Sequence, residues 1–124
     1  MPHKDGTAYH PVVCTVSLGS SLCLDIYGTK HDGIIEDQPK WKILQQPRSL
    51  LITTGEIYTK YLHGIAAVVE EKDLGQTTVS NWELLCNPDE IEDGGFARLP
   101  RISLTYRDVI KVSKGAKFGI FANR

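Results

Sequence analysis

Residues 9–28, YHPVVCTVSLGSSLCLDIYG, carry the clearest fold signal in the chain. Val12, Cys14, Val16 and Leu18 alternate with Val13, Thr15 and Ser17, a two-residue period in a run rich in β-branched side chains. GSS at 19–21 punctuates the run, and LCLDIY resumes the period with Leu22, Leu24 and Ile26 on one face. The stretch predicts two strands joined as a hairpin.

Working outward from it, residues 28–40 (GTKHDGIIEDQPK) are polar and turn-rich and read as an exposed loop. WKIL at 41–44 predicts a short strand, and Pro47 introduces a second, RSLLITT, closed at Gly55. IYTKYLHGI at 57–65 reads as one helical turn or an extended edge, and AAVVEE at 66–71 as strand again. From about 72 to 100 there is little periodicity, with Pro88 and four close acids in PDEIEDGG, so a loop or insertion is expected. RISLTYRDVIKV, starting at Arg101, closes the series with a strong strand. Six or seven short strands with almost no helical period predict an all-β, antiparallel domain of the sandwich or jelly-roll kind.

At 124 residues the chain suits a single domain with a real core. Its hydrophobic fraction of 41% and charged fraction of 23% are those of an ordinary globular protein, and no run approaches the length of a membrane helix. Cys14, Cys23 and Cys86 are odd in number and scattered, which predicts an intracellular, reducing setting in the nucleus or cytoplasm. The formal net charge of −1 favours no partner. Residues 107–124 nevertheless gather Arg107, Lys111, Lys114, Lys117 and Arg124 against one acid, Asp108, a cluster that suits a solvated surface or a phosphate backbone.

Chemistry is concentrated in a few polar positions. His3 and Asp5 in HKD are two apart, so on an extended segment both point to one face. A third nitrogen donor would complete a two-histidine, one-carboxylate set, which holds iron(II) with open positions opposite; zinc suits the same groups. His10, His31 and His63 are available, and His63 is the best placed, lying among apolar neighbours and followed by Gly64, which lets backbone come close. A packed, hydrogen-bonded histidine is the competing reading. On the last strand Arg101, Ser103, Thr105 and Arg107 share one face, with Ile102, Leu104 and Tyr106 on the other. Either the polar row looks into a lumen, where a guanidinium fork suits a carboxylate, or the apolar row faces the core and the arginines face water.

HKD, then SLGSSLCLDIY, then PRSLLITTGEIYTKYLHGI, then RISLTYR, in that order, resemble the AlkB-type 2-oxoglutarate- and iron(II)-dependent dioxygenases. The resemblance implies a double-stranded β-helix, a jelly roll, with His3, Asp5 and His63 as the iron ligands. Arg101 then matches the arginine that clamps the far carboxylate of 2-oxoglutarate, and Arg107 a second arginine near the metal-side carboxylate and the aspartate. Ser103 stands where many relatives have asparagine and joins the cosubstrate set. The implied reaction consumes dioxygen and 2-oxoglutarate, releases succinate, and removes an N-methyl group from a base of RNA or DNA as formaldehyde. Tyr9, Tyr27 and Trp41 are candidate base-stacking aromatics. In relatives, a region upstream of the iron motif supplies early strands, cosubstrate contacts and a lid; this chain starts just before the motif, so an N-terminally incomplete jelly roll is expected. A β-rich RNA-binding or protein-interaction module without turnover is the alternative.

Overall fold

The computed structural model describes residues 1–111. Arg107 and Lys111 of the basic cluster fall inside that range, while Lys114, Lys117 and Arg124 lie outside the described residues. The elements are β1 (Tyr9–Gly19), β2 (Leu22–Tyr27), β3 (Trp41–Gln45), β4 (Ser49–Thr54), the short helix α1 (Gly55–Thr59), β5 (Leu62–Gly64), β6 (Glu70–Glu71), β7 (Phe96–Ala97) and β8 (Arg101–Val109). Three single turns of 3-10 helix (Trp82–Leu84, Pro88–Glu90, Glu92–Gly94) lie between β6 and β7. Among the described residues no helix is long and apolar enough to cross a membrane.

The strands form two antiparallel three-stranded sheets, ordered β4-β1-β8 and β3-β2-β5, with β6 and β7 as a separate pair. This is the all-β jelly roll. The inner faces of both sheets contribute to one cavity, so the site is the interior of the fold.

The hairpin expected of 9–28 does not form. β1 pairs with β4 from Val12↔Thr54 to Ser17↔Ser49, and with β8 from Tyr9↔Val109 to Gly19↔Arg101. Both of its edges are therefore occupied, and β2 enters the other sheet between β3 and β5. The signal at 19–21 marks a real reversal, but one that passes between sheets. Gly19 has φ +87, and a Cβ there would come within 2.7 Å of the Pro100 carbonyl oxygen, so the crossing needs glycine.

Residues 72–100 contribute three side chains to the core despite their lack of periodicity. Leu74, Val79 and Ile91 join Cys23 of β2 and Leu44 of β3 in one buried cluster, with Trp82, Leu85 and Phe96 against it. Asn81 completes the contact by acting as a missing strand: its Oδ1 accepts from the Leu44 N–H and its Nδ2 donates to the Leu44 carbonyl, each at 2.9 Å. The exposed edge of β3 is thereby covered. Buried Glu71 accepts from the Cys23 N–H at 3.1 Å and from Arg98 Nε at 2.9 Å, tying the segment to β2 at a second point. Of the strand expected over 66–71, only Glu70–Glu71 pairs, with β7.

Candidate metal and anion site

The histidines are brought together by backbone. His3 and His63 form an isolated antiparallel bridge, with the His3 N–H donating to the His63 carbonyl at 3.0 Å and the His63 N–H to the His3 carbonyl at 2.9 Å. Residues directly opposite in such a pair put their side chains on the same side, and the two rings lie 4.5 Å apart between centroids. A Cβ at position 64 would sit 3.2 Å from Pro2 Cα, so glycine there permits the close approach. The N-terminal segment is held further along by the Tyr58 hydroxyl, which donates to the Gly6 carbonyl at 2.9 Å, and by the Ile110 N–H, which donates to that of Ala8 at 3.1 Å.

Asp5 follows on the same segment, its side chain only 8% exposed. Its Oδ1 accepts twice from Arg107, from Nε at 3.0 Å and from a terminal nitrogen at 2.9 Å. The same guanidinium stands 5.6 Å from the centre of the Tyr9 ring. Burial pushes the His63 imidazole below its usual range; Asp5 opposes this, while His3 and Arg107 add to it. The neutral imidazole is the form that ligates a metal.

At the other end of β8, Arg101 is held quite differently. Its Nε donates to Ser17 Oγ at 2.7 Å and a terminal nitrogen to Gln45 Oε1 at 3.0 Å. Both partners are neutral, and among the described residues no carboxylate pairs with it. Burial draws its pKa down from the ordinary value, and a guanidinium so placed retains its charge.

His3, Asp5, His63, Arg101, Ser103 and Arg107 all line one cavity of about 370 Å³. The polar row of β8 thus faces the interior, and Ile102 and Tyr106 are exposed on the far side. His10 is an exposed residue of β1 and His31 an exposed loop residue, and neither lines the cavity. Trp41 stands edge-on to Tyr61 at 5.0 Å, outside this cavity, and Tyr27 lies beside Asp25.

The donor types fit iron(II): two imidazoles and a carboxylate from one side, the Asp5 Oδ2 carrying no donor among the described residues. The fit is one of residue type and backbone placement. Among the described residues, no three His, Cys, Asp or Glu side chains are set to close on a single ion, and His3 Nδ1 is turned to within 3.3 Å of the Met1 carbonyl.

Ser17 and Gln45 escaped the reading of the sequence. Ser17 sits in an alternating strand where a small polar residue is unexceptional, and Gln45 ends an apolar run. The available signal is a polar side chain at an inward position of each strand, which matters only once the strands face each other.

An antiparallel jelly roll with this interior defines a class, and the sequence of the chain is similar to that of an AlkB-like protein. It is similar to a zebrafish (Danio rerio) protein described as probable RNA/DNA demethylase ALKBH6, with 34% identity over 95% of this chain and 51% of that relative. The chain therefore spans about half the length of that relative. No family model matches it.

Proposed function

We propose that the protein is an iron(II)- and 2-oxoglutarate-dependent dioxygenase that oxidatively demethylates a base in RNA or DNA. One observation carries the reading: Arg101 places in the same cavity as His3, Asp5 and His63 a positive charge that no carboxylate among the described residues compensates. An unpaired inward charge is costly, and an anionic ligand removes that cost. The planar fork suits one end of a dicarboxylate. Bound iron(II) supplies the redox chemistry that couples dioxygen and 2-oxoglutarate to oxidation of an N-methyl group.

The chain's own residues do the rest. His3 and His63 present nitrogen donors from paired backbone, and Asp5 presents a carboxylate that Arg107 holds by one oxygen. Arg101 and Ser103 bind the far carboxylate of the cosubstrate. The relative's description as an RNA/DNA demethylase supports nucleic acid as the substrate class, and the free cysteines support an intracellular setting, nucleus or cytoplasm.

The test is succinate release from 2-oxoglutarate with iron(II) and oxygen, and formaldehyde release from N-methylated RNA and DNA oligonucleotides. Turnover is expected, abolished in His63→Ala. Arg101→Lys keeps the charge but loses the fork, and should weaken cosubstrate binding roughly tenfold or more. A second reading, a non-catalytic RNA-binding or protein-interaction module of the same fold, is favoured by the lack of three donors closing on one point among the described residues. Oligonucleotide binding with no succinate from any preparation would establish it instead.

A further inference from the structure

Ser17 and Gln45 are the two polar groups on which Arg101 rests, and they come from different sheets. Ser17 belongs to β1 and Gln45 to β3, so the guanidinium spans the interior and joins the inner faces. Ser17 is 0% and Gln45 4% exposed. A half-buried arginine facing an interior is ordinarily met by a carboxylate, which satisfies its donors and cancels its charge. Arg107, six residues along the same face, is met in that way by Asp5. Arg101 is not.

We propose that Ser17 and Gln45 are positioning residues for an anion site, orienting the Arg101 fork through neutral acceptors so that its charge is reserved for an incoming carboxylate. The neutrality of the pair is the functional property. A carboxylate at either position would hold the fork as well and would occupy the charge the ligand needs. The two acceptors take Nε and one terminal nitrogen, leaving the other terminal nitrogen with no protein acceptor among the described residues. Because the acceptors sit on opposing sheets, the fork is aimed only when the two sheets are packed together. This assignment rests on reading the cavity as the 2-oxoglutarate site.

The experiment measures 2-oxoglutarate binding to the full chain by calorimetry, with iron(II) present, alongside the melting temperature and the Nε–Hε resonance of Arg101 in a ¹⁵N spectrum. Gln45→Glu and Gln45→Met have nearly the same volume and differ in charge. Gln45→Glu is expected to keep the melting temperature and lose roughly tenfold or more in affinity, because the new carboxylate neutralises the fork. Gln45→Met keeps the charge and loses one acceptor, so its affinity should fall only a few-fold. Ser17→Ala should move or broaden the Arg101 Nε–Hε signal, since that N–H donates to the Ser17 hydroxyl. Equal losses in the two Gln45 variants with falling melting temperatures would make Gln45 structural and overturn the proposal. So would wild-type affinity in both while Arg101→Met loses binding. Absence of binding in the parent chain and in Arg101→Met alike overturns the underlying reading of the cavity instead.

Discussion

Arg101 and Arg107 are the same residue type on the same face of one strand, yet their neighbours assign them different work. Arg107 spends its donors on Asp5 and fastens the N-terminal segment to β8, whereas Arg101 meets only neutral acceptors among the described residues. Arg107→Gln should loosen residues 1–8, since a hydrogen bond to a charged group contributes about 1.5–3 kcal/mol. Limited proteolysis should then cut that segment faster while the rest of the chain stays resistant; equal rates in both proteins would show that Arg107 does not anchor it. Cys23 gives a second test at this scale. Burial first, and then the Glu71 charge, push its thiol up to about 12 from an ordinary 9.0. Between those values the native chain keeps a proton that the unfolded chain has shed. Its contribution to stability is therefore complete below 9 and is lost as pH rises toward 12. The urea midpoint should fall more between about pH 8 and about pH 10 in the wild type than in Cys23→Ala. Native alkylation should label exposed Cys86 and spare Cys23.

Among elements, the irregular segment from 72 to 100 shows why periodicity is an incomplete guide. Leu74, Val79 and Ile91 follow no strand or helix period, because each docks on a surface that β2 and β3 have already formed. Asn81 supplies to β3 the two hydrogen bonds of a neighbouring strand, and no local pattern announces that role. Asn81→Ala should cost about 1–3 kcal/mol, as it leaves the Leu44 amide and carbonyl without partners. A denaturation curve indistinguishable from the wild type would remove Asn81 from the account of that edge. The short elements that were legible, β3, β4 and β8, each have alternation or a bounding proline or glycine. The expected hairpin was misread for a related reason: a glycine-serine reversal looks the same whether the next strand pairs with the last one or crosses to the opposite sheet.

For the molecule as a whole, the sheet β4-β1-β8 carries its polar face inward and an apolar face outward. Leu50, Ile52, Ile102 and Tyr106 are more than half exposed on that outer face, and the register sets Leu50 and Leu104 on either side of Val16. A contiguous apolar face of this kind promotes self-association and dye binding. Ile52→Lys combined with Ile102→Lys should lower anilinonaphthalene sulfonate fluorescence and reduce concentration-dependent light scattering, with the β-type circular dichroism spectrum preserved. Unchanged fluorescence would mean the dye reports some other surface. By itself, the sequence determined the β class, the two faces of β8, and the order of the polar motifs, because strand alternation and short motifs are local properties of the chain. Only the tertiary structure decided which face of β8 is interior, that β1 and β2 belong to different sheets, and that Ser17 and Gln45 meet Arg101. Those outcomes depend on which distant strands pair and how the sheets face each other. A two-residue period marks two faces without saying which one the opposing sheet will cover.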